Sequence, residues 1–263
     1  MVSLYCRLIG ARIRAPMQYK WSFFLELIGF GVITGLEFAV IIFLFARFSS
    51  VAGWGVAEVA LLYGTVSTAL GLSEMIARGF DAPFERMMQY GTFDTILIRP
   101  LGTFFQILAS EFQLRRLGRT IQGLLVLSYA LAQLTIDWTF TKVLVLPLAV
   151  VSSGFVFMGL FVIGATLCFW TVKTPEVINI FTFGGEFMAG YPVSIYNEWV
   201  RNVFLFVIPI ALNYPAALFL LNRTDPYVPT WLAWLALPIA LLFFSIAFGF
   251  WQIGVRRYTS TGS

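Results

Sequence analysis

WSFFLELIGFGVITGLEFAVIIFLF, from Trp21 to Phe45, is interrupted by charge only at Glu26 and Glu37. A hydrocarbon core about 30 Å thick takes about 20 apolar residues per helical crossing, and this run is long enough to supply one. Further runs follow, from Val56 to Ala77, Thr120 to Ile136, Val143 to Val172, Pro175 to Ile195 and Trp231 to Gly254. The whole chain is 59% hydrophobic and only 11% charged over 263 residues, whereas soluble domains carry about 25% charge. The chain therefore reads as an all-α membrane protein with six transmembrane helices, forming a single domain over 1–263 with no soluble part large enough for chemistry of its own.

Three segments lie outside the six runs. Residues 1–20 interleave Leu4, Leu8, Ile9 and Ile13 with Arg7, Arg12, Arg14 and Lys20, the pattern of an amphipathic helix lying at the membrane interface; a solvated basic tail is the alternative. Residues 78–119 form the longest polar stretch and lead into the third crossing. Residues 198–222 are apolar from Asn202 onward but broken by Pro209, Asn213 and Pro215. Proline removes a helical hydrogen bond, and broken backbone at membrane depth survives only where protein buries it or it lines a cavity. A re-entrant pair of short helices on the outer face is expected there, before the last crossing.

Charge bias sets the orientation. With six crossings and the N-terminus inside, thirteen Lys and Arg are cytoplasmic and four are outside, as the positive-inside rule requires. Both termini are then cytoplasmic. A seventh crossing changes the ratio only to twelve against five, so the prolines, not the charges, favour six.

The chain has no histidine, and its two cysteines, Cys6 and Cys168, are far apart. Histidine-based catalysis and the usual zinc sites are excluded. There is no GxxxxGK[ST] loop and no GxGxxG fingerprint, so no catalytic residue, cofactor or metal is assigned to this chain. No internal repeat of the kind found in many secondary transporters is visible.

Intramembrane acids are the first candidates for function. Glu26 and Glu37 are eleven residues apart and fall within about 20° on one helix face. A carboxylate in the bilayer costs several kcal/mol unless paired, hydrated or protonated. Glu37 therefore faces either a translocation path or second subunit, or an internal partner such as Ser, Thr, Tyr or Arg, and Glu186 poses the same choice. Gly31 and Gly35 form a small-xxx-small pair that admits a close helix neighbour.

The stretch RGFDAPFERMMQYGTFDTILIRPLG, Arg78 to Gly102, lies after the second run, with four runs and an interrupted segment beyond it. In it, Gly91, Asp94, Leu97, Arg99, Pro100 and Leu101 form a Gly-x-x-Asp-x-x-Leu-x-Arg-Pro-Leu signature. In order and signature the chain resembles the ABC-2 type permeases, the membrane subunits of bacterial ATP-binding-cassette exporters. The resemblance implies a dimer with a second permease chain, identical or different, in the inner membrane. It also implies separate ATPase subunits that hold ATP and Mg; membrane lipids surround the assembly, and no nucleic acid is involved. It makes residues 78–102 the ATPase coupling element, with Phe80, Asp81, Phe84, Glu85, Arg86, Gly91, Asp94, Leu97, Arg99 and Pro100 as contacts. Asp94 alternatively caps a helical turn. Glu26, Gly31, Gly35, Glu37 and Glu186 then belong to the path or to the permease interface. A proton-linked carrier using an intramembrane glutamate and a non-transporting scaffold are the other readings.

Overall fold

The computed structural model describes residues 19–171 and 176–259. The amphipathic helix expected over 1–20 lies outside them except for its last two residues. The elements are α1 (Lys20–Arg47), α2 (Val56–Ala77), α3 (Ala82–Gln89), α4 (Thr103–Ser110), α5 (Leu117–Gln133), α6 (Phe140–Thr171), α7 (176–189), α8 (Glu198–Val207), α9 (Ile210–Leu220) and α10 (Leu232–Arg257). No sheet forms among the described residues; Val51 and Trp54 make one isolated bridge across a tight turn.

By length and composition, α1, the run Val56–Gln89, α6 and α10 each suffice to cross a membrane. The bent pair α8 and α9, meeting at 82°, makes a fifth if counted as one span. α5 has 17 residues, and α7 carries a π turn over Ile180–Gly184; both are shorter than the usual crossing. The expected six spans are thus four or five by this measure. The break between α8 and α9 falls at Ile208 and Pro209. Asn213, an interruption in the sequence, is a tie: its buried amide donates to the carbonyls of Leu62 at 3.2 Å and Ala189 at 2.9 Å.

α2 is the centre of the bundle. Of its most apolar stretch 83% is buried, against 11% for α1. Small residues explain the difference, because helices in lipid associate by close packing rather than by a hydrophobic drive between them. Along α2, Gly64, Thr68 and Gly71 meet Leu127, Gly123 and Thr120 of α5. A Cβ built on Gly64 would stand 2.7 Å from the Leu127 amide nitrogen, and one on Gly123 would stand 2.7 Å from that of Thr68. The two backbones are in contact along this seam. Gly118 does the same for α1, since a Cβ there would strike the Leu27 carbonyl. Gly31 is Gly118's counterpart, while Gly35 faces open space.

The first turn of α1, the segment between α2 and α5, and the last turn of α10 share one end of the bundle. Glu26 lies 3.6 Å from Arg115, and the rings of Phe93 and Tyr258 are 5.0 Å apart. At the opposite end Arg223 joins two loops: it pairs with Glu58 at 3.2 Å, donates to the Gly53 carbonyl at 2.8 Å and lies over the Trp54 ring.

The α2–α5 seam has no room for a side chain. Gly123→Leu is expected to lose monodisperse protein on size exclusion in mild detergent, because overpacking against backbone costs about 1–3 kcal/mol or more. Gly35→Leu, with nothing to strike, should purify like the parent.

Candidate functional site

The seam sets Arg119, one residue before Thr120, opposite Glu74, three residues after Gly71. The Arg119 side chain is 5% exposed and Glu74 is fully buried. Three carboxylates from three helices surround the guanidinium: Glu37 of α1 at 3.2 Å, Glu186 of α7 at 3.1 Å and Glu74 of α2 at 3.6 Å. Glu74 is shared further. Its Oε2 lies 3.1 Å from Arg116, and its Oε1 accepts a hydrogen bond of 3.1 Å from Arg78, which also pairs with Asp81 at 2.8 Å. A continuous line of alternating charge therefore runs from Asp81, beside α3, to Glu37 and Glu186 within the bundle. Arg116 is braced on its other side by the Phe30 ring, 4.4 Å from its guanidinium carbon.

The far end of this line borders a cavity of about 110 Å³. Glu37, Tyr63, Glu186 and Tyr191 line it together with apolar side chains. The Tyr63 hydroxyl donates to the Thr34 carbonyl at 3.0 Å, holding α2 against α1. Among the described residues no three acidic or thiol side chains converge as ligands for a metal ion.

The segment after α2 is folded, not extended. Phe80, Phe84 and Phe93 have no exposed surface, and their rings pack with Phe104, Phe169 and Trp251. α3 ends as a glycine turn requires. Gly91 has φ of +66°, the Thr92 amide donates to the Met87 carbonyl at 3.0 Å, and that of Gly91 donates to Met88 at 3.3 Å, which is the Schellman pattern. Pro83 stands in the first turn of α3, where the missing amide proton costs nothing. The buried Gln106 amide then pins the signature turn, donating to the carbonyls of Ile96 at 2.9 Å and Leu101 at 2.8 Å.

The coupling candidates thus divide into two sets. Phe80 and Phe84 face inward and hold the segment to the bundle. Arg86, Leu97, Arg99 and Pro100 are exposed, and Asp81, Glu85, Gly91 and Asp94 are partly exposed. Phe93, not Asp94, occupies the cap position of the turn Asp94–Leu97, and it makes no side-chain cap. A cleft of about 360 Å³ opens beside this turn, lined by Thr92, Thr95, Arg99 and Gln106 among others.

Of the intramembrane candidates, Glu37 and Glu186 meet at Arg119. Glu26 shares the Glu37 face as its spacing predicts, but it pairs with Arg115 where both side chains are more than 40% exposed, a pair of little energetic weight. Gly31 packs on α5 of the same chain. Two residues escaped the sequence reading. Arg119 closes the polar stretch 78–119 in the sequence, whereas α5 begins at Leu117 and carries it inside; Glu74 stands three residues from the end of the run Val56–Ala77, where an acid ordinarily meets water. The signal available was an arginine flanked by Gly118, Thr120 and Gly123, residues small enough to bury it, in a chain with acids on three other apolar runs.

Residues 32–262 match the model of a family described as ABC-2 family transporter proteins. The chain belongs to that family: it is a multi-pass membrane component of a transporter, with no catalysis of its own. No curated protein and no solved structure matches it.

Removing Arg119 leaves three carboxylates without their shared cation. Breaking a buried ion pair from one side costs about 3–5 kcal/mol, so Arg119→Met should sharply lower thermal stability in detergent. Adding Glu37→Gln and Glu186→Gln to it should recover part of the loss, because the amides carry no charge. A triple variant no more stable than Arg119→Met would show that packing, not charge, sets the cost.

Proposed function

We propose that this chain is the permease subunit of an ATP-binding-cassette exporter, forming half of the translocation pathway and driven by a separate ATPase. The observation that carries the reading is the line Asp81–Arg78–Glu74–Arg119, which links the folded segment after α2 to the acids between α1 and α7. ATP and Mg belong to the partner. Docking falls to the exposed and partly exposed side chains of residues 81–100, and the buried phenylalanines make the segment stiff enough to pass on a displacement. Movement at α3 reaches Glu74 through Arg78, and reaches Arg119 through Glu74. Packed or ion-paired groups with two discrete arrangements are one physical means of coupling distant sites.

In this reading α1, α2, α5 with the turn Leu114–Arg116, α6, α7 and α10 are the six crossings, and α8–α9 is re-entrant on the outer face. The shared end of α1, residues 78–116 and α10 favours an even number of crossings. With Arg119 carried inside the bundle, twelve of the other sixteen cations then fall on that side, which makes it cytoplasmic. The membrane is the bacterial inner membrane, and a second permease, identical or different, completes the path against the exposed apolar surface of α1.

Two measurements test this. Arg99→Glu and Asp94→Arg should insert normally yet lose co-purifying ATPase. Reversal of a charge buried at an interface costs about 2–5 kcal/mol, roughly 30- to several-thousand-fold in affinity. If both variants keep a full complement of ATPase and full transport, residues 78–102 are not the coupling element; transport that persists without any ATPase would favour a proton-linked carrier instead. Separately, Thr259→Cys in a chain whose Cys6 and Cys168 are replaced by alanine should resist an impermeant thiol reagent added outside intact cells. Labelling from outside would overturn the six-crossing topology with cytoplasmic termini.

A further inference from the structure

Arg119 is short of charge for the acids it serves. Its Nη2 alone faces both Glu37 Oε2 at 3.2 Å and Glu186 Oε2 at 3.1 Å, while its Nη1 is turned to Glu74. Arg116 and Arg78 reach Glu74, but no ion pair joins either of them to Glu37 or Glu186 among the described residues. Two carboxylates thus share one cation, and with both ionised one negative charge is left over. Glu186 is 2% exposed, and its Oε1 has no hydrogen bond.

That oxygen belongs to a side chain lining the cavity of about 110 Å³, the space of three or four waters at about 30 Å³ each. The groups around the acids are Glu37 and Thr34 from α1, Tyr63, Ser67 and Glu74 from α2, Arg119 from α5, and Tyr191 beyond α7. Val40, Ile41 and Phe187 complete the wall; Val40 is 61% exposed and Phe187 55%, so the cavity has an apolar mouth on the surface of the bundle. A buried carboxylate that shares its one cation with Glu37, a surplus negative charge, two tyrosine rings and an apolar entrance together describe a receptor for a cation carrying a hydrocarbon tail. Tyrosine ring faces add a weaker attraction for ammonium groups to that of the carboxylates.

From two carboxylates that share one guanidinium and the cavity they line, we infer that the chain binds an alkylammonium group between Glu37 and Glu186, nitrogen toward the two carboxylates and alkyl chain toward Val40 and Phe187. The inference rests on the transporter reading only in giving the carried or regulatory molecule an amine; binding itself needs no ATPase coupling.

The test uses the full chain, with whatever subunits co-purify, in lipid nanodiscs, and n-butylammonium chloride as probe. Thermal stability should rise saturably with butylammonium and not with n-butanol or sodium chloride. Glu186→Gln and Glu37→Gln, checked for assembly by size exclusion, should each weaken the apparent affinity about tenfold or more. Asp137→Asn, on an exposed loop, should not. A response absent from about pH 6 to about pH 9 would overturn the proposal, as would an infrared band of a protonated carboxyl that disappears in Glu186→Gln while butylammonium has no effect. The first outcome means that the cavity takes no amine, the second that a proton balances the acids. Loss of ATPase docking in the Arg99→Glu variant with butylammonium binding intact would separate the two proposals.

Discussion

One guanidinium, that of Arg119, organises this bundle. It is buried where an unpaired charge would be prohibitive, and it is tolerated because α1, α2 and α7 each bring a carboxylate to within 3.6 Å. Burying four charged groups contributes little net stability, since desolvation offsets most of the attraction. Its effect is on register. A slip of one turn along α5 would carry Arg119 about 5.4 Å away from all three acids at once, and no hydrocarbon contact penalises a slip so steeply.

The glycine seam makes that arrangement reachable. Gly64, Gly71 and Gly123 bring the backbones of α2 and α5 together, and Gly118 admits α1 on the next face. Long arginine and glutamate side chains then span gaps that short ones could not. Ion cluster and seam are therefore one device: small residues fix the distance between helices, and charges fix their axial position.

The segment after α2 joins the same device from the membrane surface. Its aromatic side faces Trp251 and Phe169, and its first turn holds Arg78 between Asp81 and Glu74. Gly91 and Gln106 shape the outward turn, leaving Leu97, Arg99 and Pro100 accessible. On the function proposed above, a rigid inner face, an accessible outer face and an ionic connection to the bundle's interior would suit a part that relays force.

Much of this was legible in the sequence, for local reasons. Hydrocarbon thickness fixes the length of an apolar run, so membrane residence and the approximate span limits followed from composition alone. The break near Pro209 followed from the chemistry of proline. The single face shared by Glu26 and Glu37 followed from helical periodicity, and the signature at residues 91–101 pointed to the family. Tertiary structure alone decided which charges meet. Arg119 stands at the edge of an apolar run, where an arginine ordinarily lies at the interface, and its partners are 45, 67 and 82 positions away in the chain. Likewise Phe80 and Phe84 read as exposed anchors until Trp251, far along the chain, covered them. Periodicity and capping act over a few residues, whereas helix-to-helix register is the sum of contacts between segments that the sequence does not order in space.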